Sequence, residues 1–181
     1  MKTLTLKEIA EAIGGTFNVD AEFNEVCIDS RLCKPGCIYI AIKGENFDGH
    51  DFTAAAFANG ASAAIIHHDV DAEGPMLRVD DTHQALMRLA HWYRMTFDIP
   101  VVGLTGSVGK TTTKEMTWFV LNEKFKSLKT EGNLNNNIGL PRTLLRMDSD
   151  TQAAVIEMGM SNRGEIPELS KIAEPTVAII S

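Results

Sequence analysis

The sequence predicts an α/β protein of two consecutive parts: a small α/β domain over residues 1–80, then an incomplete P-loop (mononucleotide-binding) α/β domain over residues 81–181. Three observations carry that expectation. Short apolar runs bounded by turn residues alternate with helix-period segments along the chain. The run Ile99 to Leu104 gives way to small residues and then to Lys110-Thr111-Thr112-Thr113, which reads as strand, phosphate-cradling loop and helix N-terminus in order. The 181 residues, 44% hydrophobic and 23% charged, have the composition of a soluble globular chain with room for one domain or two small ones.

Taken in order, Thr5-Leu6-Lys7-Glu8 is a capping box opening a short amphipathic helix through Leu6, Ile9, Ala10 and Ile13, stopped by Gly14-Gly15. Val26 to Ile28 is a short strand running into Asp29-Ser30-Arg31, and Pro35-Gly36 turns the chain into the apolar strand Cys37 to Ile42. The polar loop Lys43 to His50 follows, then a helix through Phe52, Ala55, Ala56 and Ala58, then strands at Ser62–His67 and Met76–Val79. Asp81-Thr82 opens a helix with Leu86, Leu89, Ala90 and Tyr93 on one face, which puts the domain boundary near Asp80.

Beyond the loop, a helix continues through Met116, Phe119, Val120 and Glu123, with Phe119 and Val120 expected on its core face. Lys126 to Lys129 reads as a short strand, and Thr130 to Gly139 as an amide-rich loop. Pro141 suits the first turn of a helix carrying Leu144 and Leu145. Ala153 to Ile156 is a buried strand closed by Glu157-Met158-Gly159. Ile166, Leu169 and Ala173 mark a helix, and Thr176 to Ser181 is a strand. A buried parallel strand with nothing after it, and few strands after Lys110, lead us to expect that the chain is part of a longer one.

The bulk numbers narrow the function. A formal net charge of −7 and a pI near 5.2 argue against non-specific nucleic-acid binding. No run of about 18 apolar residues offers a membrane span, and the first residues lack a secretory apolar core. A cytoplasmic monomer, with no nucleic acid or membrane partner, is the expectation. Cys27, Cys33 and Cys37 fit no common zinc spacing and read as reduced thiols. His67, His68, His83 and His91 have no second ligand at coordination spacing and read as surface or partly packed histidines.

In the loop TGSVGKTT, Gly106 and Gly109 free the backbone to turn its N–H groups inward. Lys110 supplies a point charge for the β/γ-phosphates, and the Thr111 hydroxyl is a Mg²⁺ ligand. The motif is shorter than the full Walker pattern, which asks for glycine where Leu104 stands. A carboxylate at a strand end beside such a loop is the natural second Mg²⁺ anchor, and Glu157 fits; a solvent-facing edge glutamate is the alternative. For Asn133, Asn135, Asn136 and Asn137 the residues alone leave ordinary turn chemistry and ligand contact both open. The same holds for Asp29-Ser30-Arg31 and Lys43 to His50, each of which follows a strand.

In this order and spacing, TGSVGKTTTKE, EGNLNNNIGLP and EMGMSNRGEI resemble the Mur ligase family. The DSR triplet, the PG turn and AIKGENFDGHDF resemble that family's uridine-nucleotide-binding domain. Within the family, NLNNNIGLP is similar to the branch that adds D-alanyl-D-alanine to UDP-N-acetylmuramoyl-tripeptide. The stretch Met160 to Arg163 departs from the family, which usually carries a histidine or an equivalent there.

The resemblance implies an ATP-dependent amide ligase of peptidoglycan precursor synthesis, acting through an acyl phosphate. Lys110 and Glu157 would be its catalytic residues, and Thr111 and Glu157 would hold Mg²⁺. Gly106, Ser107, Val108, Gly109, Lys110, Thr111 and Thr112 would hold the ATP phosphates, with Asn133, Asn136 and Asn137 near the γ-phosphate. Ser30, Arg31, Lys43, Gly44, Asp48, Gly49 and His50 would bind the uridine diphosphate. Residues completing the site would lie beyond Ser181, so these 181 residues alone are expected to be inactive. Other readings are a different Mur ligase, a folylpolyglutamate-synthase-like ligase, or a nucleotide-binding module without catalysis.

Overall fold

The computed structural model describes all residues from Met1 to Ser181 and divides into two compact units, Met1–Leu89 and Ala90–Ser181. The first unit opens with β1 (Leu4–Thr5), α1 (Leu6–Ile13), β2 (Thr16–Phe17) and β3 (Glu22–Phe23). The Thr5 hydroxyl accepts the Glu8 amide at 3.1 Å while the Glu8 carboxylate accepts the Thr5 amide at 2.8 Å. A capping pair of this kind contributes about 1 kcal/mol. Leu6, Ile9 and Ile13 of α1 are buried, as their spacing requires. The pairs β1–β3 and β2 are too short to stand out by alternation in the sequence.

The first unit continues with β4 (Glu25–Cys27), β5 (Cys37–Ile40), α2 (Thr53–Ala58), β6 (Ala63–Ile66) and β7 (Met76–Arg78), and α3 (Thr82–Met95) follows. Its main sheet has the order β2-β7-β6-β5-β4, with β4 to β7 mutually parallel and β2 antiparallel at one edge. All four residues of β5 and all four of β6 are buried, as expected of central parallel strands covered on both faces. Because β4, β5 and β6 are parallel, the segments that follow them all emerge at one sheet edge. Those segments are Asp29–Arg31, Lys43–His50 and His67-His68. The division between the units falls inside α3, one helix segment past Asp80.

The second unit contains β8 (Val101–Thr105), α4 (Lys110–Asn122), β9 (Ser127–Lys129), α5 (Gly139–Leu144), β10 (Ala153–Glu157), α6 (Glu165–Ala173) and β11 (Val177–Ile180). Its sheet is wholly parallel in the order β11-β8-β10-β9. In the β8–β10 register Ile156 pairs with Gly103 and Glu157 with Leu104. The carboxyl ends of all four strands, and the loops that follow, therefore gather at one edge. The buried Arg94 guanidinium donates to the Ala173, Glu174 and Phe97 carbonyls, so its charge meets backbone acceptors inside the unit. No helix is long and apolar enough to cross a membrane.

Two expectations are corrected here: the last strand, expected to be buried, is an edge strand whose Val177 and Ile180 are exposed, and the helix after the loop turns a different face to the sheet. Phe119 and Val120 do not face the core; they are 61% and 73% exposed, and Met116 is exposed with them. The helix lies on the sheet through Lys114, which is buried, and through Trp118, whose indole N–H donates to the Ser127 carbonyl at 2.8 Å. The segment is helical as its period requires, but the phase is set by these two anchors, not by the most apolar stripe.

Candidate functional site

The loop between β8 and α4 is shaped by Gly109, which caps the helix in the left-handed conformation at φ 78°. No side chain caps α4, and the first intrahelical bond from this turn runs from Thr113 N–H to the Gly109 carbonyl. The Lys110, Thr111 and Thr112 amides are thus left at a helix N-terminus without a capping partner, a geometry that accepts an anion. The Lys110 ammonium folds back onto the Gly106 carbonyl at 2.7 Å. Ser107 N–H donates to the Ser181 carbonyl at 3.2 Å, and Val108 is 79% exposed. Thr111 and Thr112 are exposed on the first turn.

Glu157 closes β10 at the same edge and is 2% exposed, which removes the solvent-facing reading of this residue. Its amide donates to the Thr130 hydroxyl at 2.9 Å, and Oε1 accepts from the Asn135 side-chain amide at 2.9 Å. Oε2 has no hydrogen-bond partner. The Lys114 ammonium, itself 1% exposed, lies 3.4 Å from Oε2, close enough for charge attraction but off the direction of a hydrogen bond. Lys114 also approaches Glu115 Oε1 at 3.6 Å. A hydrogen bond and the charge of Lys129 hold the Glu115 carboxyl below its ordinary range, and the Lys129 ammonium sits 3.8 Å from the Trp118 ring centre.

A buried carboxylate with one unpartnered oxygen, near a helix start that carries a threonine hydroxyl, is a set of hard oxygen donors. It fits Mg²⁺.

The amide-rich loop is brought to this edge, and its members make different contacts there. Asn135, not Asn133, Asn136 or Asn137, is the side chain that reaches Glu157. The Asn136 side-chain oxygen Oδ1 is occupied by the Ile138 and Gly139 amides at the start of α5. Asn133 contributes its backbone carbonyl to the Asn135 amide at 2.8 Å. Asn136 and Asn137 line a small pocket of about 30 Å³ with Gly159, Glu165, Glu168 and Leu169. Lys114 and Thr130 are the members that sequence reasoning missed, while Asn135 stood among the four asparagines it left open. Lys114 was legible in principle, since it lies four residues after Lys110 on one helix face.

In the first unit, Ser30 and Arg31 sit in a single 3-10 turn capped by Asp29. Arg31 is exposed and doubly bonded to the Asp29 carboxylate, at 2.9 and 2.7 Å, while the Ser30 carbonyl accepts the Asn59 amide at 3.0 Å. Lys43 bridges to Asp48 as an isolated β-pair, and Gly44 N–H donates to the Phe47 carbonyl at 2.9 Å. Gly49 packs so closely that a Cβ would lie 2.6 Å from the Ile42 carbonyl oxygen, and its own carbonyl accepts the Tyr39 hydroxyl at 2.8 Å. Burial pushes the Tyr39 phenol up to about 12, with the neighbouring thiols and carboxylates adding to it.

His50 is buried, and its protonation follows from its partners. The His67 amide, which can only donate, meets His50 Nε2 at 3.0 Å, so the proton is on Nδ1, directed at Asp48 Oδ1 at 2.6 Å. Burial lowers the His50 pKa, consistent with a neutral ring. Burial pushes the Asp48 carboxyl up, but the bonds from the His50 amide and from the His50 and His68 rings outweigh it. Asp48 is left well below the usual carboxylate range. His67 and His68, read from the sequence as isolated, close over His50 at ring separations of 4.2 and 3.9 Å.

Comparison with known proteins agrees with both units. The family model described as "Mur ligase family, catalytic domain" matches residues 22–94, and "Mur ligase middle domain" matches residues 104–181. The UDP-N-acetylmuramoyl-tripeptide--D-alanyl-D-alanine ligase of Escherichia coli (strain K12) is 41% identical over 100% of this chain and 40% of its own length. The protein of the same name from Bacillus subtilis (strain 168) is 43% identical over 98% of this chain and 40% of its own. Among solved structures, MurF from Acinetobacter baumannii superposes with a TM-score of 0.94 at 40% identity, covering 99% of this chain and 41% of that one. MurF ligase from Thermotoga maritima, in complex with ADP, superposes at 0.80 and 38% identity over 87% of this chain and 37% of that one. The chain spans about 40% of the length of the curated relatives it matches. Two family models that together take in most of the residues, with relatives of one name aligned end to end along the chain, lead to one assignment: the chain belongs to the Mur ligase family.

Proposed function

We propose that this chain carries two parts of an ATP-dependent ligase that joins D-alanyl-D-alanine to UDP-N-acetylmuramoyl-tripeptide. Residues 1–80 would bind the UDP-muramoyl peptide, and residues 81–181 would form the N-terminal part of the central ATP-binding domain. In the reaction, the peptide's terminal carboxylate takes the γ-phosphoryl group of ATP, giving an acyl phosphate and ADP. The amine of D-alanyl-D-alanine then attacks the acyl carbon, the new amide forms, and phosphate leaves. Chemistry of this kind depends on position and charge neutralisation more than on covalent help from the protein.

The observation that carries the reading is the uncapped N-terminus of α4 at the same sheet edge as the half-partnered, buried Glu157. The amides of Gly106 to Thr112 would hold the β-phosphate, and Lys110 would exchange the Gly106 carbonyl for γ-phosphate oxygens. Thr111 and Glu157 would hold Mg²⁺, which when bound neutralises phosphate charge. Asn135 orients Glu157 through Oε1 and leaves Oε2 for that role, with Asn133, Asn136 and Asn137 near the γ-phosphate. The names of the relatives, and the ADP in the Thermotoga structure, support the nucleotide and the substrate pair. In the first unit, the exposed Arg31 and the loop Lys43–His50 share one carboxyl edge and would take the uridine diphosphate through Ser30, Arg31, Lys43, Gly44, Asp48, Gly49 and His50. The setting would be cytoplasmic and the ligase monomeric.

Calorimetric titration of the chain with UDP-N-acetylmuramoyl-tripeptide, and separately with Mg-ATP, tests this division. Arg31→Ala should weaken the UDP compound and leave nucleotide binding unchanged. Lys110→Ala should do the reverse. Failure of a folded chain to bind the UDP compound, or parallel losses of both ligands in either variant, would overturn it.

A further inference from the structure

Outside the phosphate loop, one group of side chains has more order than its proposed role asks for. One ring nitrogen each of His50, His67 and His68 lies within 4.8 Å of the others, in a cluster graded from a buried base to an exposed rim. The hydrogen bonds around it fix where the ring protons are. Thr82 Oγ1 donates its proton to the Ala41 carbonyl at 2.7 Å, so at 3.1 Å it must accept from His67 Nδ1–H. The Asp69 carbonyl, which can only accept, meets His68 Nδ1 at 3.0 Å. His67 is thereby anchored at Nδ1 and keeps the lone pair on Nε2, whereas His68 faces an acceptor at each nitrogen, the Asp69 carbonyl at Nδ1 and Asp48 Oδ2 at Nε2, so an ion bound there would take the place of the His68 Nε2 proton.

That arrangement is the one metal-binding histidines adopt, with the remote nitrogen donating to a backbone carbonyl or to a hydroxyl. His68 Nε2 stands 3.3 Å from Asp48 Oδ2. The other Asp48 oxygen is held by His50 Nδ1–H, which orients the carboxylate without using up Oδ2. His50 itself is committed at both nitrogens and acts as the orienting group.

We propose that His67 Nε2, His68 Nε2 and Asp48 Oδ2 form a binding site for a divalent transition metal of the zinc, cobalt or nickel class. Imidazole and carboxylate donors select that class over Mg²⁺ or Ca²⁺. The half-exposed His68 ring provides the adjustment needed to close the set around an ion and leaves a coordination position open to solvent. An ion there would tie the Lys43–His50 loop to the end of β6.

The test is Co²⁺ titration of the chain without an affinity tag, after chelator treatment, followed by visible absorption and then by Zn²⁺ displacement. Saturable d–d bands that Zn²⁺ removes, at one equivalent, are expected. His68→Gln, at a half-exposed side chain, should weaken Co²⁺ at least about 10-fold. Thr82→Val, which removes the partner of His67, should weaken it about 10- to 100-fold. Glu157→Gln should leave it unchanged, which separates this site from the proposed Mg²⁺ position. Absence of the bands, no effect of His68→Gln, or a sulfur-to-cobalt charge-transfer band pointing to Cys27, Cys33 and Cys37 would each overturn the proposal.

Discussion

Replacing Lys114 with methionine isolates the energetics of the buried centre. Lys114 is 1% exposed and Glu157 2%, so neither charge is screened by solvent. Without the ammonium, Glu157 keeps the Asn135 bond on Oε1 and has nothing on Oε2. Breaking a buried pair from one side costs about 3–5 kcal/mol, because the remaining charge is left uncompensated. The 3.4 Å contact is not aligned as a hydrogen bond, which puts the expected loss at the lower end, about 3 kcal/mol. The lost Glu115 contact adds little, since Glu115 retains Lys129.

Trp92 and Trp118 both belong to the second unit, so tryptophan fluorescence during urea unfolding follows that unit alone. With a slope of about 1–2 kcal/mol/M, the midpoint should fall by about 2 M. Lys114→Met combined with Glu157→Gln should regain most of the loss, giving a coupling of about 2 kcal/mol. A single-variant loss below about 1 kcal/mol, or strict additivity of the two changes, would refute the paired-charge account.

Further outcomes follow from the first unit. Gly49→Ala would set a Cβ 2.6 Å from the Ile42 carbonyl oxygen and 2.7 Å from its nitrogen. Backbone must move, so a loss of about 1–3 kcal/mol by thermal melting in circular dichroism is expected, and an unchanged melt would contradict the packing. Tyr39, raised to about 12 when folded, keeps its proton longer than in the unfolded chain, where the phenol titrates near 10. Its contribution is therefore intact below about pH 10 and is lost as pH rises from there toward 12. Tyr39→Phe should abolish that part of the alkaline stability loss, at the cost of about 1 kcal/mol at neutral pH for the unbonded Gly49 carbonyl. A pH–stability curve identical to that of the parent chain would argue against it.

Local chemistry was legible in the sequence wherever it depends on neighbours along the chain. The Thr5–Glu8 box, the central strands Cys37–Ile40 and Ala63–Ile66, and the strand–loop–helix around Lys110 are all of this kind, because period, capping and turn preference act over a few residues. The phase of a helix is not local. Met116, Phe119 and Val120 look like a core stripe, yet the sheet receives Lys114 and Trp118, since Glu157 and the Ser127 carbonyl lie opposite those positions. Which asparagine of the amide-rich loop serves the carboxylate was likewise settled by packing: Asn136 is drawn to the start of α5 and Asn135 is left to reach Glu157.

The histidines make the same point most clearly. His50 and the His67-His68 pair have no spacing relation in the sequence, and each taken alone reads as incidental. Parallel pairing of β5 with β6 brings the segments after them to one edge, and only there do three rings, the Asp48 carboxylate and the Thr82 hydroxyl form one hydrogen-bonded set. Residue type and short-range pattern determined the elements and the phosphate loop. Strand order and register decided which side chains from distant segments meet, because a parallel sheet delivers every carboxyl end to the same edge whatever the distance along the chain.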